Sequence, residues 1–276
     1  NPILIFGFLF IPALGVKGIG IATIIAQSIS LIIILIKVLK NNIFKEINKD
    51  YLKPKFLFFR NIFFQSMPIS ISICGYALAA AIIFTYVGQT GEYAVAGYGV
   101  GTRIEQVVLL PILGINTAII SIISQNFGAK NFYRIRETYF TAIKYALIIM
   151  VISGIIVFIS ASIITSFFSS DPEVIEYGKR YLKISAFVLP AYPVFFLSNG
   201  FFMALKKSEN AMISNFFRNV LNPIVVFYIA KYIDASFEVF FWIWVGINWF
   251  FSISYFLIVT YYFKTRLEKS STVVNP

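Results

Sequence analysis

The sequence predicts an all-α polytopic membrane protein with seven transmembrane helices and part of an eighth. Three observations carry that expectation. First, 59% of the 276 residues are hydrophobic and only 13% are charged, against about 25% charged in an ordinary soluble domain. So few charges cannot clothe a water-exposed surface. Second, apolar stretches of about 20 residues recur, the length a helix needs to cross roughly 30 Å of hydrocarbon while satisfying its own backbone. Third, the loops between those stretches alternate in charge along the whole chain.

The elements follow in order. Pro2–Leu14 is an apolar run too short to cross alone. Full spans are predicted at Gly18–Ile36, Met67–Val87, Ala94–Ile123, Tyr145–Ile164, Ile184–Leu205, Met212–Ala230 and Val239–Phe263. The loop after the first span is basic, with Lys37, Lys40, Lys45, Lys49, Lys53, Lys55 and Arg60, and the next carries only Glu92. Lys130, Arg134 and Arg136 come next, followed by a mixed stretch around Asp171, Glu173 and Glu176. Lys206 and Lys207, then Asp234 and Glu238 with Lys231, and finally Lys264, Arg266 and Lys269 complete the alternation. By the positive-inside rule the basic loops and the C-terminus are cytoplasmic. The net charge of +11 therefore reports topology. Nucleic-acid binding would need a contiguous basic face on a soluble surface, and none is expected.

Composition also excludes chemistry. With no histidine there is no His base, triad or His-ligated metal, and the single Cys74 allows neither an intrachain disulfide nor a cysteine-cluster metal site. No enzyme, metal or cofactor is expected. Gly97-Tyr98-Gly99-Val100-Gly101 has the wrong order for a potassium filter, and Arg103 behind it would repel cations. Asp171-Pro172 is a helix start and predicts a short surface helix over Ser169–Lys179. Tyr181, Trp242 and Trp244 near span ends read as an interfacial aromatic belt.

Ionisable groups at membrane depth are functional candidates by default. Arg103 and Glu105 are two residues apart, so on a helix they point in nearly opposite directions and cannot pair. Glu105 is the sole carboxylate within a span and the local candidate for a proton or cation relay, beside the reading of an interfacial anchor or ion pair. Arg218 is expected to snorkel to the cytoplasmic interface or meet a helix C-terminus. Asn116, Asn199 and Asn222 place hydrogen-bonding groups inside spans, as interhelical ties or cavity lining. Pro111, Pro190, Pro193 and Pro223 predict kinks. Asn1–Phe6 (NPILIF) matches Asn222–Phe227 (NPIVVF). Tandem halves are a common transporter plan, and this offset places the start of a first half about 160 residues before Asn1.

With these residues in view the chain resembles the multidrug and toxic compound extrusion family. Residues 1–8 (NPILIFGF) and 15–30 (GVKGIGIATIIAQSIS) are similar to its fifth and sixth helices, and residues 94–131, ending in the turn QNFGAKN, to its eighth. Residues 167–184 (FFSSDPEVIEYGKRYLKI) are similar to the stretch before its tenth helix. The resemblance implies a two-lobe, twelve-helix antiporter that exports amphipathic, often cationic, drugs against protons or sodium ions. Residues 1–36 would end the N-terminal lobe, 37–60 form a basic cytoplasmic linker, 61–263 the C-terminal six-helix lobe and 264–276 a cytoplasmic tail. The missing N-terminal lobe, the lipid bilayer and an amphipathic substrate are the implied partners, and the inner cell membrane the implied location. Some members carry acids in helices 7 and 10, but Met67–Val87 and Ile184–Leu205 contain none. The resemblance therefore puts the coupling carboxylate upstream of Asn1. It implies a transport pathway through Tyr76, Arg103, Glu105, Asn116, Tyr192, Asn199, Arg218 and Asn222, with Phe84 and Phe195 as further aromatic lining. The alternative is a lipid-linked-sugar flippase of the same superfamily, whose cavity would need more cations than Arg103 and Arg218.

Overall fold

The computed structural model describes Gly7 and residues 15–40 and 56–267. Among the described residues every regular element is helical. The expected short apolar run Pro2–Leu14, apart from Gly7, and most of the basic linker lie outside them. The chain divides into two units, residues 1–62 and 63–276. In the first, α1 (Gly15–Lys40) has Lys37 and Lys40 in its last turn, where their charge suits the helix C-terminus. Its isoleucines and leucines from Ile21 to Leu39 are exposed on all faces, which suits lipid or a further protein layer and not water.

Helix α2 (Phe56–Gly88) crosses the boundary between the units. The second unit then contains α3 (Glu92–Gly128), α4 (Phe132–Ser166), α5 (Pro172–Ser185) and α6 (Ala191–Ala204). It continues with α7 (Ser208–Phe216), a π-helical segment Phe217–Leu221, α8 (Asn222–Tyr232) and α9 (Phe237–Tyr262), which runs into a second π segment, Phe263–Leu267. Helix α3 is central and packs on α4, α5 and α6, while α9 packs on α5, α6 and α8.

Local chemistry sets the ends. The turn after α3 needs a left-handed residue, supplied by Lys130 at φ 57°, and Asn131 then caps α4 by accepting from the Arg134 amide at 3.1 Å. Asp171 caps α5 by accepting from the Glu173 amide at 2.9 Å, with Pro172 in the first turn. Helix α4 buries Ile135, Tyr139, Ile143, Ala146, Met150, Gly154, Val157 and Ala161 at helical spacing. Its opposite face is just as apolar, with Ile148, Ile152, Ile155, Ile159 and Ile163 exposed. A helix apolar on both faces has protein on one side and lipid on the other.

Several expectations shift. Helix α4 begins at Phe132 rather than Tyr145, and its extra turns carry the Arg134–Glu137 ion pair at 2.7 Å. The helix expected over Ser169–Lys179 is no loose surface element. It extends to Ser185 and buries Val174, Gly178, Tyr181, Leu182 and Ile184 against its neighbours. The spans expected at Ile184–Leu205 and Met212–Ala230 are both interrupted, by residues 186–190 and by the π segment. Among the described residues, Gly20–Lys40, Glu92–Gly128, Phe132–Ser166 and Phe237–Thr265 are long and apolar enough to cross a membrane. Cys74–Gly88 and Ala191–Ala204 are shorter apolar helices.

Candidate functional site

The site forms around the break between α5 and α6. Pro190 and Pro193 lack amide hydrogens, so the carbonyls of Ala186 and Leu189 lose their helical donors. Residues 186–190 instead fold as turns, with Val188 and Leu189 amides donating to Ser185 O at 2.9 and 3.2 Å. Within this turn the Ala191 amide donates to Val188 O at 2.9 Å and so leaves Phe187 O without its helical donor, and Trp249 Nε1 supplies one at 2.9 Å. Gly154 lets α4 come against this turn, since a Cβ there would lie 2.9 Å from Ala186 O.

A second close approach brings α5 onto α3. A Cβ on Gly97 would lie 2.7 Å from the Gly178 amide, and one on Gly101 would overlap the Tyr181 ring. The glycine run that resembles a filter is thus a packing groove. Gly97, Gly101 and Glu105 fall on one helical stripe, four residues apart. Through that groove Tyr181 reaches Glu105. Its hydroxyl donates to one carboxylate oxygen, and the hydroxyl of Tyr192 donates to the other. The two tyrosines stand on opposite sides of the break, Tyr181 on α5 and Tyr192 on α6. Tyr98, Tyr181 and Phe241 back the cage edge-to-face or stacked, with centroids 4.8–5.4 Å apart.

Arg218 enters from the π segment. Pro223 cannot donate to the carbonyl four residues back and would clash with it. The helix widens over Phe217–Leu221, and Arg218 turns inward until only 8% of it is exposed. Its Nε donates to Asn248 Oδ1 at 3.2 Å. Its Cζ lies 4.3, 5.0 and 5.3 Å from the ring centroids of Phe195, Tyr192 and Phe196. The expected snorkelling is therefore corrected: the guanidinium is held inside by rings and an amide. Glu105 likewise makes neither an interfacial anchor nor a salt bridge among the described residues. It is the only buried acid among them.

Both charges line a cavity of about 160 Å³, walled by Tyr76, Phe84, Tyr98, Tyr181, Tyr192, Phe196 and Trp244. Of the expected pathway residues, Tyr76, Glu105, Tyr192 and Arg218 meet here, with Phe84. Arg103 does not, because it is exposed on the opposite face of α3. Asn116, Asn199 and Asn222 lie apart from the cavity: Asn199 Nδ2 donates to Ala211 O at 3.4 Å, and the buried Asn116 Oδ1 and Asn222 side-chain amide have no hydrogen-bond partner among the described residues. Phe195 packs on Arg218 rather than lining the space. Sequence reasoning missed Tyr181, Asn248 and Trp244, having placed the tyrosine and Trp244 in an interfacial belt. Helical spacing gave no signal for the pair, because the helix between Tyr181 and Tyr192 is interrupted over residues 186–190.

Helices apolar on their outward sides, proline-broken segments and a charged cavity among them define a polytopic membrane protein. A family profile, MatE, matches residues 68–228. The chain belongs to the MatE family, whose members are multi-pass membrane transporters rather than enzymes. It is 26% identical over 241 residues to an FAD transporter of Shewanella oneidensis, covering 85% of this chain and 52% of that one. It is 25% identical over 213 residues to the multidrug export protein MepA of Staphylococcus haemolyticus, covering 77% and 46%. A MOP superfamily transporter from Pyrococcus furiosus superposes with a TM-score of 0.83 at 22% identity, covering 97% of this chain and 59% of that one. The Vibrio cholerae MATE transporter VcmN in its bent form gives 0.78 at 21% identity, covering 96% and 59%. The chain spans about half the length of the curated relatives it matches.

Proposed function

We propose that the chain forms the C-terminal lobe, and the end of the preceding one, of a secondary active efflux transporter in the inner cell membrane. It exports amphipathic or cationic small molecules by antiport with protons or sodium ions, alternating access between two six-helix lobes. The observation that carries this reading is Glu105: a carboxylate buried at membrane depth, held by two hydroxyls rather than by a cation, and open to a cavity. A group so placed can take up a proton or a cation and give it back. In this reading Glu105 is the ion-exchanging acid of this lobe, where helices 7 and 10 supply none. The relatives' names, an FAD transporter and multidrug exporters, support substrates with aromatic rings, and the cavity is ringed by aromatic side chains. Ion binding moves the equilibrium only if the two packings of the lobes differ in affinity for it. The flippase reading draws on Arg218 alone, since Arg103 faces away.

The test is flux in proteoliposomes carrying the two-lobe protein, with ethidium as probe and an imposed proton or sodium gradient. Gradient-driven ethidium movement is expected, with its dependence on the gradient abolished by Glu105→Gln. Coupled movement that survives Glu105→Gln would place the exchanging acid elsewhere, upstream of Asn1 as the family resemblance implies. Binding of a lipid-linked sugar without ethidium flux would favour the flippase.

A further inference from the structure

The cavity contains a second charge whose role the antiport reading leaves open. Arg218 is more than nine-tenths buried, yet its hydrogen-bonding capacity is only partly used. Its Nε is taken by Asn248, and its face is covered by Tyr192, Phe195 and Phe196. No acceptor for the Nη groups stands among the described residues, and the side chain lines the cavity. Glu105 faces it across the same cavity and attracts it there, but makes no contact ion pair with it, its two oxygens accepting from Tyr181 and Tyr192. A buried cation with no contacting carboxylate is costly. A guanidinium whose face and Nε are fixed presents its Nη edge as a fork that fits the two oxygens of an oxyanion.

We propose that Arg218 is an oxyanion subsite, and that this lobe binds amphipathic ligands in which a flat apolar ring carries a carboxylate, sulfonate or phosphate. The ring lies among Tyr76, Phe84 and Trp244, and the oxyanion takes the free edge of Arg218. This specifies the substrate class of the transport site and rests on that site being the one used. The π segment is what makes the subsite, because it is the widening at 217–221 that turns Arg218 inward.

The experiment uses the full-length protein in detergent and a probe pair that differs only in charge, naphthalene-2-sulfonate and naphthalene-2-sulfonamide, with binding read by titration calorimetry. The wild type is expected to prefer the sulfonate by about tenfold or more, the scale of one charge-assisted fork. Arg218→Gln removes the preference while keeping sulfonamide binding, which also shows that the variant is folded, and Arg218→Lys keeps part of it. Equal affinity of the wild type for both probes overturns the inference, as does a preference that survives Arg218→Gln. If Arg218→Gln cannot be purified, the wild-type comparison decides alone. Inorganic phosphate at equal concentration is expected not to displace the sulfonate; displacement would overturn the ring-bearing ligand. Ethidium flux without a sulfonate preference would leave the transport reading standing and sink this one. A sulfonate preference without gradient-driven flux would do the reverse.

Discussion

At the scale of single residues, the site rests on which polar groups find partners. Glu105 is satisfied by two phenols, so removing either hydroxyl leaves one buried carboxylate oxygen unpaired. Tyr192→Phe and Tyr181→Phe are each expected to cost about 1–3 kcal/mol, lowering the melting temperature in detergent by a few degrees. Tyr139→Phe, at the 2.7 Å hydrogen bond to Ser198, breaks a neutral pair and is expected to cost less. Equal losses for all three would mean that Glu105 is not the charged acceptor. Outside the membrane-spanning segments, Lys179 and Arg180 donate to Glu176 at 2.9 and 3.1 Å and hold its carboxyl below the usual range. A depressed value stabilises the fold above the unfolded-state value and is lost as pH falls through the lower, folded one. These groups are largely exposed, so the effect is small. Glu105 itself was legible in the sequence as an acid inside a span. Its partners were not, because a tyrosine at a span end looks the same whether it faces the headgroups or reaches inward past a glycine.

At the scale of elements, the break between α5 and α6 and the groove on α3 are one construction. Prolines stop the helix, Gly154 and Gly101 let neighbours close over the gap, and the tyrosines on either arm converge. Gly101→Ala puts a methyl into the Tyr181 ring and is expected to cost about 1–3 kcal/mol by overpacking. Gly99→Ala, where an added Cβ meets nothing within 4 Å, is the internal control and is expected to be neutral or to gain up to about 1 kcal/mol. Melting temperatures of the two variants decide, and equal shifts would refute the groove. The prolines predicted kinks in the sequence. The π segment was not foreseen, because Pro223 announces a disturbed helix without saying whether it bends or widens, and the Asn248 that receives Arg218 lies 30 residues away in the chain.

At the scale of the whole molecule, the composition dictated a helical membrane protein, and part of its aromatic content goes to the interior of the second unit, where Phe195, Phe201, Phe202 and Phe240 are fully buried. Rings fill much of the space between helices, and the outside is covered by isoleucine together with further rings such as Phe168, Phe250 and Tyr261. Since the curated relatives are about twice as long as the matched region, we expect residues 1–276 alone to give no gradient-driven ethidium flux in vesicles in which the two-lobe protein does. Flux from residues 1–276 alone would show that one lobe suffices.

The caged carboxylate also sets an arithmetic of lone pairs. Ionised, Glu105 accepts one hydroxyl from each arm of an interrupted helix; protonated, one of its oxygens becomes a donor, and the phenol facing it must accept or turn away. Its ionisation is then the variable that decides which way the hydrogen bonds run between the carboxyl and the two arms. Glu105→Gln, which carries the same obligatory donor, fixes that variable at one of its two settings.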